Sequence, residues 1–173
     1  MLGVIVRIVL ALTAAAPISI SIAYIFATKD HNYQLAAVAA FSCVLLGALA
    51  LQIINLAGDK LEILPISIQK VKSADKEVIG FFVAYALPLL FKGQASTDID
   101  AWILAVGMLV FVLITTHSLQ VNPVLGAFGY HFYEAETKDG ITFLLISKRK
   151  INNVKSIGKV VQLSEYGVLE IKK

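Results

Sequence analysis

The sequence is short of charge and almost without cysteine, and each shortage excludes something. Only 16% of the residues are Asp, Glu, Lys or Arg, against about 25% in an ordinary soluble domain. The single cysteine, Cys43, allows no intrachain disulfide, so a disulfide-built scaffold is excluded. No Gly-rich phosphate loop, no His/Cys cluster at metal-ligand spacing and no paired-carboxylate motif occurs, so no enzyme, metal or cofactor is expected. Four long apolar runs, Ile8–Ala27, Leu35–Ala57, Val78–Phe91 and Ala101–Leu119, contain no Asp, Glu, Lys or Arg. Ionisable groups inside a span are the usual mark of an ion pathway or proton relay, and their absence argues against a pump or coupled transporter.

What is present is apolar. Hydrophobic residues make up 58% of the 173-residue chain and mean hydropathy is +0.79, which points to an integral membrane protein. Net charge is only +3, too small to argue for nucleic acid. Met1–Arg7 and the run after it resemble a signal peptide, with Ala14-Ala15-Ala16 at a possible cleavage position. Pro17 follows at once and the run continues to Ala27, so an uncleaved signal anchor is expected.

Ile8–Ala27 is about 20 residues long, which at about 1.5 Å per residue matches a hydrocarbon core of about 30 Å. Pro17 near its centre predicts a kink. Thr28–Gln34 is a polar turn in which His31 reads as an exposed loop histidine. In the second run, Ala39, Cys43 and Gly47 lie four apart and share one helix face, where small side chains let another helix approach. Whether that approach is within the chain or between chains stays open. Gly58–Glu77 carries four lysines and four acidic residues, and its alternating part, Leu61–Val71, is read as a strand that joins a C-terminal sheet, with Pro65 confining it to an edge. Val78–Phe91 is only 14 residues, short of a full span. Ala101–Leu119 is a clean one with Trp102 at its start, as in an aromatic belt.

Basic residues fix the orientation. Gly58–Glu77 holds Lys60, Lys70, Lys72 and Lys76, and the tail after Leu119 holds seven lysines and Arg149, whereas the other two loops hold only Lys29 and Lys92. Four crossings put both basic segments and both termini in the cytoplasm. The short third run is therefore taken as a crossing. Asn122-Pro123 ends the last run, since proline cannot continue a helix, and beyond Gly129 the period becomes strand-like. Strands are expected near Gly129–Thr137, Ile141–Lys148 and Lys159–Glu170, with Lys138-Asp139-Gly140 as a hairpin turn. With the loop strand that makes about four, a sheet only marginally stable alone. The expected fold is an α+β membrane protein: a four-helix transmembrane domain (1–120) and a small cytoplasmic antiparallel β module (121–173).

Two further histidines read as structural. His117, in Thr115-Thr116-His117-Ser118, is an interfacial residue: adjacent helix positions point about 100° apart, poor geometry for proton transfer to Ser118. His131 faces opposite to Tyr130 and Phe132 along its strand. Lys148, Arg149 and Lys150, with Lys155 and Lys159 beyond, form a basic cluster with three open readings. They contact anionic headgroups, they bind an acidic partner or phosphate, or they form a solvated loop that sets topology.

The four spans, the strand-bearing loop, IGFFVAYALPLL at Ile79–Leu90, and NPVLGAFGYHFYEAET with GITFLLISKRKI inside Asn122–Ile151 together resemble the KwaA family, the membrane component of the bacterial Kiwa anti-phage defence system. The resemblance covers most of the chain and rests on hydrophobic pattern and short phrases. It implies an inner-membrane protein that forms homo-oligomers and holds a soluble DNA-binding effector, KwaB, at the cytoplasmic face, without touching nucleic acid itself. No functional residue carries over from it. The expected function is thus a membrane sensor and scaffold. An oligomeric channel lined by Ser19, Ser21, Thr115 and Thr116 is the alternative, and a membrane enzyme centred on His117 a weaker third.

Overall fold

The computed structural model describes residues 2–74, 80, 103–104, 106–111 and 121–171. Of the third expected crossing, Val78–Phe91, only Gly80 is among these; of the fourth, Ala101–Leu119, residues 103–104 and 106–111 are, all helical, while Lys76, Trp102, Thr115, Thr116 and His117 lie outside.

The first apolar run forms two helices, α1 (Leu2–Ala15) and α2 (Ile18–Thr28). They are separated where Pro17 has no N–H to give. Tighter turns bridge the break, with Ala16 N–H bonded to the Thr13 carbonyl at 3.3 Å and Ile20 N–H to the Pro17 carbonyl at 3.1 Å. At the far end the chain reverses through His31, exposed and at φ 49°. Asn32 then caps α3 (Tyr33–Lys60), its side chain accepting from Leu35 N–H at 3.1 Å. α3 has 28 residues, about 42 Å of helix. Ile8–Thr28 and Tyr33–Lys60 are each long and apolar enough to cross a membrane.

Two residues after α3 the chain enters a mixed sheet. Its strands are β1 (Ile63–Pro65), β2 (Ile68–Ser73), β3 (His131–Thr137), β4 (Thr142–Ser147), β5 (Lys159–Gln162) and β6 (Gly167–Glu170). The β3–β4 hairpin turns at Lys138-Asp139-Gly140 with Gly140 at φ 80°, as the sequence signal required. β6 lies parallel to β4, with Leu145 opposite Val168. The all-antiparallel expectation is therefore corrected. The chain between Ser147 and Gly167 is long enough for the crossover that a parallel pair needs. The expected single strand at Lys159–Glu170 is two, turned at Ser164–Tyr166, and the loop strand Leu61–Val71 is also two.

The order across the sheet is β1-β5-β6-β4-β3-β2, so β1 and β2 sit at opposite edges although only Ile66 and Ser67 separate them. In a flat six-stranded sheet those edges would lie about 24 Å apart. The link from Pro65 to Ile68 reaches about 11 Å at most. The sheet must roll up, and β1 and β2 are two halves of one bent strand that closes it. Ile66 N–H bonds the Gly158 carbonyl at 3.2 Å on one side of the bend, and Lys138 N–H bonds the Ser67 carbonyl at 3.3 Å on the other. With that strand counted once, the order round the wall is 1-2-3-5-4 and back to 1, with the third and fifth strands parallel. This is the connectivity of an OB-type barrel.

Two cores follow from strand alternation. Ala135, Leu145, Val160 and Val168 fill the lumen with Ile66, Ile68, Val71, Tyr133 and Phe143, and Ile151 and Ile157 join them from the β4–β5 loop. The opposite face of the same strands, Phe132, Leu144, Ile146 and Leu169, packs on Ala50, Ile54 and Ala57 of α3 and Val6 of α1. β4 is apolar on both faces for this reason, and Phe143–Ile146 reads as an unbroken run. A short helix α4 (Pro123–Ala127) buries Leu125 in the same contact. Proline at its first position is tolerated because that N–H has no helical partner.

Leu145 is fully buried in the lumen. Leu145→Ala should cost about 2–5 kcal/mol, read as a lowered thermal midpoint of the purified protein and faster proteolysis of the barrel.

Candidate functional site

The helices and the barrel meet at a junction that buries two polar side chains, Thr13 and Asn122. Asn122 is 3% exposed and uses both ends of its amide. Its Oδ1 accepts from Val124 and Leu125 N–H at 3.0 and 3.3 Å, capping α4. Its Nδ2 donates to Thr13 Oγ1 at 2.7 Å and to the Leu10 carbonyl at 3.3 Å. The Thr13 hydroxyl, wholly buried, donates in turn to the Leu10 carbonyl at 2.9 Å. The tail is thereby tied to α1 one turn before the Pro17 break. Sequence reading named Asn122 only as the end of a run; a polar residue just before Pro was its sole signal.

The small-residue face of α3 is accounted for at Gly47. A Cβ there would stand 3.2 Å from Val124 Cγ1 and 3.6 Å from Phe128 Cε2, so α4 rests on Gly47 and at that point the approach is within the chain. Ala39 and Cys43 are half-buried.

The basic cluster is divided. Arg149 forms an ion pair with Glu170 through Nη2, and its Nε donates to both carboxylate oxygens at 3.0 and 3.2 Å. Nη2 also donates to the Ser156 carbonyl and hydroxyl, each at 3.0 Å. The Ser147 hydroxyl donates to Glu170 Oε2 and accepts from Arg149 N–H. The hydrogen bond to Glu170 raises the Arg149 pKa above its already high ordinary value; desolvation opposes this and Coulombic attraction adds to it. Arg149 is thus a permanent cation that staples the β4–β5 loop to β6. The lysines are what the stapled loop presents: Lys148, Lys150, Lys155 and Lys159 are all exposed, on a segment, 148–164, without an acidic residue. Lys70 and Lys72 differ, since each stands across the β2–β3 ladder from a carboxylate, Glu136 and Glu134.

Between the end of α3 and the barrel wall lies a cleft of about 750 Å³ lined by Ile54, Asp59, Leu61, Tyr130, Lys148 and Ile171 among others. The Lys148 Nζ stands 5.2 Å from the centroid of the Tyr130 ring, a cation–π arrangement. Sequence reading did not find the cleft, because its walls come from segments far apart in the chain, 54–63 and 130–171. Among the described residues no group of three His, Cys, Asp or Glu side chains could hold a metal ion. His131 lies on the strand face of Tyr133, ring centroids 6.4 Å apart.

A family model described as anti-phage protein KwaA matches residues 6–169. The chain belongs to the KwaA family. The match spans the hairpin, the bent strand, the stretch between β2 and β3, and nearly all of the barrel, so it covers the junction on both sides. No curated protein and no solved structure matches the chain. Family membership implies a role in anti-phage defence.

Arg149→Met should cost about 2–3 kcal/mol, because it leaves the nearly buried Glu170 carboxylate without its charged partner, while Lys150→Met should stay within about 0.5 kcal/mol; thermal unfolding of the full-length protein in detergent compares the two. At the other tie, Asn122→Ala and Thr13→Val should show a coupling of about 0.5–3 kcal/mol in a double-mutant cycle, with Asn122→Asp as damaging as Asn122→Ala, because the carboxylate keeps the cap but loses both donors and buries a charge against the Leu10 carbonyl.

Proposed function

We propose that the protein is a multi-pass scaffold of the bacterial inner membrane, with no catalysis of its own, that assembles as a homo-oligomer, senses infection at the membrane, and presents its barrel to a soluble DNA-binding effector in the cytoplasm. The observation that carries this reading is the shared origin of the barrel wall. Its closing strand leaves the end of α3 directly, and its outer face packs on α3 and α1, so a displacement of the apolar hairpin is a displacement of the wall.

Topology supports the same reading. A continuous sheet cannot straddle a bilayer, because its backbone groups would have no partner in the hydrocarbon. The strands before and after residues 74–130 therefore lie on one side, which agrees with an even number of crossings. Val6 and Ile54 both pack against the barrel wall, so the hairpin leaves and returns to that side too. Together with the basic loop, this favours a cytoplasmic barrel and cytoplasmic termini. A direct nucleic-acid role is disfavoured by the packing. The face that OB-type barrels commonly offer to oligonucleotides, the second and third strands, corresponds here to β3 and β4, and Phe132, Leu144 and Ile146 on it are buried under helices.

The test is labelling of Lys70→Cys and Lys155→Cys in a Cys43→Ser background with a membrane-impermeant maleimide. Both sites should react in inverted vesicles and neither in intact spheroplasts; reaction from opposite faces refutes the arrangement. With the soluble DNA-binding component of the same system co-expressed, it should co-purify with the membrane-extracted protein and be lost when Lys150 and Lys155 are both changed to Glu, provided the variant keeps its thermal midpoint.

A further inference from the structure

The junction cleft combines opposite charges, a compensated carboxylate and an apolar wall. It holds two opposite charges, Lys148 and Asp59, and neither forms an ion pair among the described residues. Its third charge, Glu170, is already neutralised by Arg149. Of the other lining residues, Ile54, Leu61, Ile63, Leu169 and Ile171 are apolar and Asn55 is polar. Asp59 and Lys60 mark the place where the apolar run of α3 ends, so on the membrane reading the cleft opens at the level of the headgroups.

We propose that the cleft binds a phospholipid whose headgroup carries both a phosphate and a primary ammonium. Lys148 takes the phosphate. Its ammonium is held over the Tyr130 ring rather than on a carboxylate, so it faces the ligand without first giving up a salt bridge. Asp59 takes the ammonium. Charge balance selects the headgroup: with Glu170 compensated, the cleft offers one positive and one negative group, so a purely anionic head would satisfy Lys148 and leave Asp59 beside another anion. The apolar walls accept the glycerol and the upper part of the chains, where a free phosphate ester would find no partner. Chain burial contributes through area removed from water, and the two charge contacts supply selectivity.

This inference rests on the membrane reading, and the experiment separates the two. The full-length protein is extracted in detergent and exposed to mixed micelles containing equal amounts of phosphatidylethanolamine and phosphatidylglycerol, and retained lipid is counted by native mass spectrometry. The wild type should retain phosphatidylethanolamine preferentially, by about tenfold, the size expected for one charge-assisted contact. Asp59→Asn should abolish the preference, Lys148→Met should lower retention of both lipids, and Lys148→Arg should keep it. Soluble phosphoethanolamine should not displace the lipid. Equal retention of the two lipids by the wild type, a preference that survives Asp59→Asn, or displacement by the soluble ester each overturns the proposal. Each variant is compared at an unchanged thermal midpoint in lipid-free detergent. Recovery of the wild type in the soluble fraction of cells would count against the membrane reading itself, whereas a membrane-bound protein without headgroup preference counts against the cleft alone.

Discussion

Everything in this structure depends on the shortness of one link. Two residues, Ile66 and Ser67, join strands that occupy opposite edges of the sheet, and a chain of that length cannot reach across an open sheet. Closure is therefore a requirement of connectivity. Pro65 sits where it does no harm: on the terminal strand of the ladder order, at the bend, where a missing N–H and a fixed φ are tolerated. Closure also removes the exposed sheet edges that would otherwise template pairing with another chain. The small sheet that seemed too marginal to stand alone is stabilised twice, by its own lumen and by the helices on its outer wall.

The second consequence concerns which wall faces the helices. Alternation gives every strand an inward and an outward set, and in a solvated barrel the outward set is polar. Here β4 places Leu145 in the lumen and Leu144 and Ile146 against α3 and α1. Non-directional apolar contact of this kind holds two bodies together but fixes neither angle nor register. Directional groups at the rim supply those. Asn122 ties the tail to α1, and the Arg149–Glu170 pair ties the loop that carries the exposed lysines to β6.

Much of the fold was legible in the sequence, and the parts that were not share a cause. The two long apolar helical runs near the N-terminus, the hairpin at Gly140 and the membership of the central loop in the sheet each follow from local pattern: apolar run length, positive-φ glycine, and alternation at Ile66–Gln69. The parallel β4–β6 pair, the closure and the doubling of two strands depend on partners tens of residues away, on which periodicity is silent. The candidate site divides in the same way. Lys148, Lys150, Lys155 and Lys159 were found because charge is visible in one dimension. Arg149 was grouped with them although its guanidinium is held by Glu170, 21 positions on, and Asp59 went unnoticed because its relation to Lys148 exists only in three dimensions. Of the Ala39–Cys43–Gly47 spacing, Gly47 meets a close neighbour among the described residues, and that neighbour, α4, comes from the far end of the chain.

The break at Pro17 and the tie at Asn122 bear on one another. Proline leaves the Thr13 carbonyl without its usual partner four residues on, and the chain re-forms through the 3.3 Å contact from Ala16. A turn below, Thr13 and Leu10 are engaged by Asn122, which at the same time holds the first turn of α4. In a low-dielectric setting a buried amide of this kind gains more from each bond and loses more if one is left open. It therefore fixes where α1 stands against α4 more tightly than apolar contact alone. A junction built from broad apolar contact alone would slide by degrees. One buried amide satisfied at both ends gives the same junction a fixed register between α1, α4 and the barrel.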